Sequence, residues 1–139
     1  MTPANARALF LGARVACLAT ADTHGAPHLV PVTFAVHGDR IVTAIDGKPK
    51  RGPRLRRVEN IGANPRVSLL VDHYDEDWRR LWWVRADGAA RIVEAGPELD
   101  GAFDALRDRY EQYREVDLIG PAIMVEVDRW TGWSAGAVG

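Results

Sequence analysis

Apolar residues along the chain either cluster in short runs, alternate with polar ones or recur at steps of three and four, and these patterns place the elements. Val15 to Thr20 is a short apolar run that ends in the polar turn Asp22-Thr23-His24-Gly25 and resumes from His28 to Val36, a strand hairpin. Pro27 and Pro31 suit an edge or bulged strand. His37-Gly38-Asp39 is a second tight turn, so Ile41 to Ile45 is a third strand paired with the one before it. Val67, Leu69 and Val71 alternate between Arg66 and Asp72, giving a fourth strand. Leu81 to Glu94 is a fifth, bent or bulged at Gly88. In the sixth, Ala122 to Trp130, Ile123, Val125 and Val127 lie opposite Glu126 and Asp128.

Three segments carry helical spacing instead. Thr2-Pro3 is a cap followed by a first-turn proline, which starts a short helix running to about Leu11. Between Pro53 and Ile61, Leu55, Val58 and Ile61 recur three apart with arginines between them, and Asn64-Pro65 stops the helix. Pro97 to Tyr113 sets Leu99, Phe103, Leu106, Tyr110 and Tyr113 at steps of four and three, with Glu98 near the helix start where the dipole favours it. The Gly-rich tail is expected to be loose. Six short strands with two or three helices argue against a doubly wound sheet and for a mainly β fold, a small barrel with attached helices in one domain over residues 1–139.

Composition changes this picture little: 47% hydrophobic and 27% charged residues suit a compact globular protein. No apolar run approaches the roughly 20 residues that span a bilayer, and Met1 to Leu11 lacks a secretory layout, so a cytoplasmic protein without membrane contact is expected. Cys17, the only cysteine, lies in an apolar stretch and suits packing.

Charge changes it more. The net charge is −1, yet Lys48, Lys50, Arg51, Arg54, Arg56 and Arg57 put six cations and no anion into ten positions. Gly52-Pro53 sets a helix start beside them, and helix starts offer free N–H groups and a positive dipole end to anions. Arginine forks can hold phosphate oxygens in pairs, while the lysines act as point charges. A phosphate site competes evenly with a solvated basic face; a nucleic-acid surface is disfavoured by the acidic balance and the lack of a broad basic face. The acidic group Asp72, Asp75, Glu76 and Asp77 reads as a solvated loop.

Trp82 and Trp83, adjacent in a strand, must point to opposite sides, so one faces away from the interior. An outward tryptophan favours an interface, which Trp130 and Trp133 could share, although core packing is their default. Gly132-Trp133-Ser134-Ala135-Gly136 spells a nucleophile elbow, but too little chain follows it for the required helix and all four histidines lie upstream. Asp22, His24 and His28 lack metal-ligand spacing. Neither a dinucleotide-binding glycine motif nor a P-loop is present.

Val15-Ala16-Cys17-Leu18-Ala19-Thr20, then Gly25-Ala26-Pro27-His28, the basic loop, and Asn60-Ile61 through Asn64-Pro65-Arg66-Val67 together resemble the pyridoxamine-phosphate-oxidase-like proteins over nearly the whole chain. Within that superfamily the chain is most similar to the short, deazaflavin (coenzyme F-420) dependent branch. The resemblance implies a six-stranded split β-barrel of the FMN-binding, flavin-reductase type, a homodimer with cofactor sites along the subunit interface, and hydride transfer to a small-molecule substrate. It implies phosphate contacts from Arg54 and Arg56, helped by Lys48, Lys50 and Arg57, with His28, Val30, Val32, Thr43 and Ala44 under or beside the ring system. The ring carries the redox chemistry, so no catalytic triad is needed. The acidic polyglutamate tail of coenzyme F-420 favours it over FMN at a loop with six cations. An FMN-dependent reductase or oxidase and a non-catalytic cofactor carrier are the alternatives.

Overall fold

The computed structural model describes residues 1–45 and 55–136. Seven antiparallel strands form one curled sheet: β1 (Ala16–Ala21), β2 (Pro27–Val32), β3 (Ala35–His37), β4 (Arg40–Ala44), β5 (Arg66–His73), β6 (Trp82–Val93) and β7 (Ala122–Ser134). Their order is β2-β1-β5-β6-β7-β4-β3. Three helices attach to it: α1 (Pro3–Gly12), α2 (Arg56–Ala63) and α3 (Pro97–Arg109). This is the mainly β barrel with attached helices expected from the chain's patterning, in the split form that the family resemblance implied.

Among the described residues the strands number seven rather than six because the segment expected to run from His28 to Val36 is interrupted at Thr33-Phe34. Pro31 already lacks a ladder donor. The Phe34 side chain is fully buried, and its N–H donates to the Tyr110 hydroxyl at 3.1 Å while its carbonyl lies 2.9 Å from the same oxygen. With both backbone groups engaged by one phenol, the ladder cannot continue through Phe34. The same hydroxyl lies 2.8 Å from the Arg14 carbonyl. Tyr110 itself leaves the helical region, with φ −124° and ψ 116°, so α3 ends at Arg109 and a 3-10 turn (Glu111–Arg114) replaces the expected helical continuation to Tyr113.

Two more boundaries move. β7 runs to Ser134 rather than stopping at Trp130, because Trp133 and Ser134 pair with Trp83 and Trp82, so part of the tail expected to be loose is strand. α2 spans Arg56–Ala63; Pro53 and Arg54, where it was expected to start, lie outside the described residues. Gly88 does mark a bulge, with the register shifting between Asp87 and Gly88. A Cβ there would stand 2.1 Å from the Glu126 carbonyl oxygen, so only glycine fits.

The two faces of the sheet have different fates. Leu18, Ile41, Val67, Leu69, Val71, Val84, Ile123 and Val125 face an interior closed by Ala6 and Phe10 of α1 and Ile61 of α2. On the opposite face, α3 lays Leu99, Ala102, Phe103 and Leu106 over Val42, Ala44, Val93, Ala122 and Met124. That helix covers only the end of the sheet made by β3, β4, β7 and the last residues of β6. Elsewhere the outer face carries Leu29, 65% exposed, Leu70, 39%, and Trp133, 46%. Ala19 sits opposite Leu29, Cys17 opposite Leu70, and Trp83 opposite Trp133, so these residues form one patch across five strands.

Candidate functional site

The β1-β2 hairpin turns on Asp22. Its Oδ1 accepts from the backbone N–H groups of His24 at 2.8 Å and Ala26 at 2.9 Å, and Gly25 supplies the positive φ of 81° that the turn requires. Those two bonds, Ala26 first, hold the Asp22 carboxyl below its usual range, with a smaller contribution from the positive charge of Arg56. The first turn of α2 therefore stands at the same end of the sheet as this hairpin.

What fastens α2 there is partly polar. Val58 and Ile61 bury apolar surface, but Asn60, only 3% exposed, donates through Nδ2 to the Thr20 hydroxyl at 3.0 Å, and Thr20 is itself 4% exposed. Among the described residues no side chain caps the N-terminus of α2, where Leu55 contributes only its backbone carbonyl. Arg56 is exposed and Arg57 half-buried at that start. An uncapped helix start with two arginines presents N–H groups and positive charge together.

His28 lies directly across from Thr20 in the β1-β2 register, and opposed residues in an antiparallel pair share a face. His28, Val30 and Val32 thus line the interior face along β2. The Nδ1 atom of His28 is buried without a hydrogen-bond partner among the described residues, a polar atom at this site that a bound molecule could satisfy.

Placement of the expected site residues is therefore mixed. Arg56 and Arg57 stand at the start of α2, and His28, Val30 and Val32 share the interior face with Thr20. Thr43, 2% exposed, faces the same interior through its pairing with Ile123, but on β4, five strands away from β2 along the sheet. Ala44 departs from the group: strand alternation turns its side chain to the opposite face, into the core under α3. Lys48, Lys50, Arg51 and Arg54 lie outside the described residues. Asn60 and Thr20 were not singled out as site residues; a buried asparagine on an otherwise arginine-rich helix is the signal that could have marked them.

Other candidate chemistries dissolve into structure. Ser134 ends a strand and donates to the Gly136 carbonyl at 2.8 Å, which is not the strand-turn-helix setting of an elbow nucleophile. Among the described residues no group of three His, Cys, Asp or Glu could hold a metal ion. In the acidic loop, Asp77 is paired with Arg79 at 3.0 Å and caps a 3-10 turn (Trp78–Arg80). The tryptophans divide: Trp82 and Trp130 pack against the interior core, whereas Trp83 and Trp133 occupy the outer face. No helix among the described residues is long and apolar enough to cross a membrane.

The family model described as pyridoxamine 5'-phosphate oxidase matches residues 2–133. This chain belongs to the pyridoxamine 5'-phosphate oxidase family. A 5a,11a-dehydrotetracycline/5a,11a-dehydrooxytetracycline reductase of Streptomyces rimosus is 40% identical over 55 residues, a stretch covering 40% of this chain and 37% of the reductase. Among solved structures, a conserved hypothetical protein of Mycobacterium tuberculosis superposes with a TM-score of 0.78 at 25% identity, over 97% of this chain and 86% of that one. An FAD-binding protein of Mesorhizobium loti gives 0.69 at 20% identity, over 95% and 92%. A heme storage protein of Vibrio cholerae gives 0.69 at 14% identity, over 92% and 90%. Proteins described as binding two unlike ring systems share this fold, so the ligand has to be argued from the site.

Proposed function

We propose that this chain is an oxidoreductase of the pyridoxamine 5'-phosphate oxidase family that binds the deazaflavin coenzyme F-420 and transfers a hydride between it and a small organic substrate. The observation that carries the reading is the uncapped, arginine-bearing start of α2 standing beside the interior polar group of Thr20, Asn60 and His28. Arg56 and Arg57 would hold phosphate there, and the charge of Lys48, Lys50 and Arg54, which precede them in the sequence, suits a coenzyme with an acidic tail. His28 and Val30 offer a half-buried wall, apolar except for the imidazole, against which a planar ring can lie. The bound coenzyme supplies the hydride chemistry; the chain binds it, orients it and excludes water.

The working unit is a homodimer. The patch of Leu29, Leu70, Trp83 and Trp133 has the aromatic and aliphatic make-up of an interface core, and α3 leaves it uncovered. Titration of the apoprotein with oxidised and reduced coenzyme F-420 and with FMN tests the assignment. Tight deazaflavin binding followed by hydride transfer is the expected result. Tight FMN binding with none for the deazaflavin would replace the coenzyme, and binding without transfer to any acceptor would make the chain a carrier, a role favoured by the storage protein that shares the fold.

A further inference from the structure

The hydrogen bond between Asn60 and Thr20 is a costly way to attach a helix, because two polar side chains are buried where apolar ones would pack as well. Its placement suggests what it does. Apolar contacts through Val58 and Ile61 press α2 onto the sheet but tolerate sliding and rotation, whereas a single 3.0 Å bond between side chains fixes one point of α2 against one point of β1. That point is one turn beyond Arg56, since residues four apart on a helix share a face. On the strand, Thr20 neighbours His28 across the ladder and precedes the Asp22 turn by two residues.

We infer that Asn60 and Thr20 are positioning residues that set the register of α2 on β1, and thereby hold Arg56 and Arg57 in reach of an anionic group bound beside His28. The inference rests on the phosphate-bearing cofactor proposed above and adds the device that aims the phosphate-binding helix. It also fits a helix start that no described side chain caps: the helix is fastened from its middle rather than through its first turn. Accepting from Asn60 leaves the Thr20 hydroxyl its own proton to donate, on the face it shares with His28.

The test compares the parent with Thr20→Ser, Thr20→Val and the double variant Thr20→Val with Asn60→Leu. Thr20→Val strands the Asn60 amide and should lower stability, so the double variant, which replaces both partners with apolar groups, keeps the test readable. The affinities of FMN and oxidised coenzyme F-420 are measured across a salt series, together with hydrogen exchange of the α2 amides without ligand. The double variant is expected to melt near the parent, to bind about tenfold more weakly, as loss of one well-aimed charge-assisted contact would give, and to show a shallower salt dependence. Thr20→Ser is expected to restore both affinity and salt slope. A folded double variant with the parent's affinity and salt slope would overturn the inference while leaving the cofactor assignment intact. A parent that binds neither cofactor would overturn the assignment, and the inference with it.

Discussion

Leu29→Lys is the substitution that addresses the open face of the sheet most directly. Leu29 lies on the outward side of β2 opposite Ala19 and is 65% exposed, so changing it opens no cavity and should alter the stability of the subunit by about 0.5 kcal/mol or less. Its effect on association should be far larger. Burying the exposed part of a leucine is worth about 1–2 kcal/mol at the usual 25 cal/mol per Å2. A two-fold axis places the same residue in the contact twice, so the dimer as a whole loses about 2–4 kcal/mol, or roughly thirty-fold to a thousand-fold in its dissociation constant. The lysine stem can still cover some apolar surface, which favours the lower end of that range. Sedimentation equilibrium and light scattering over a concentration series would measure the shift, with thermal melting as the check on folding. Gln112→Lys, on the exposed 3-10 turn after α3, is the matched control and should leave the constant unchanged. A parent at the 15.3 kDa monomer mass throughout, or a Leu29→Lys variant that associates as tightly as the parent, would refute the interface assigned to this face.

Arg56→Ala should weaken cofactor binding by about tenfold to a hundredfold without lowering the melting temperature, and Arg56→Lys should recover part of the loss, both read by calorimetric titration. Tyr110→Phe removes the oxygen to which the Phe34 N–H donates and should cost about 1–3 kcal/mol in chemical denaturation, because a buried amide is left without an acceptor. The Asp22 carboxyl is held below its usual range in the fold, chiefly by the Ala26 and His24 N–H groups, so its stabilisation is complete above the unfolded value near 3.8 and disappears as the pH falls through the lowered folded value. The difference in urea midpoint between the parent and Asp22→Asn should accordingly be constant near neutrality and narrow in acid; a difference that widened in acid would contradict the turn assignment.

The legible parts of the fold were those whose signal is local. Alternation at Val67, Leu69 and Val71 and the steps of Leu99, Phe103 and Leu106 gave β5 and α3, since burial on one face needs only neighbouring residues to declare it. Gly88 marked its bulge because only glycine tolerates a carbonyl at that distance. The break at Phe34 was hidden because the group that makes it, the Tyr110 hydroxyl, lies 76 residues away in the chain. Asn60 was hidden for the same reason, its partner Thr20 being 40 residues distant. Placing Thr43 and Ala44 together beside a ring overlooked strand alternation, which sends adjacent residues to opposite faces and put Ala44 beneath α3. At the site the basic run was visible as charge, but how the helix carrying it is held on the sheet depended on contacts between distant segments.

Alternation has a further consequence on β2, where His28 faces the interior and its neighbour Leu29 faces out. β2 is an edge strand, paired to β1 alone among the described residues, so it is held less firmly than the central strands. A ligand seated against His28 and Val30 on one face, and a second subunit seated on Leu29 from the other, would each restrict the same strand. Each event would then reduce the ordering cost of the other, and linkage ties the two effects together: with one cofactor site per subunit, the dimer constant shifts by the square of the factor by which each site's affinity changes. The dimer should therefore tighten when cofactor is saturating, and the per-site cofactor affinity should fall by the square root of that shift at protein concentrations low enough to populate the monomer. Measuring the dimer constant with and without cofactor, and the binding isotherm at protein concentrations above and below that constant, gives the coupling by two routes. A dimer shift that departs from the square of the per-site factor would point to a further coupled process, and factors of one would mean that β2 is rigid before either partner arrives.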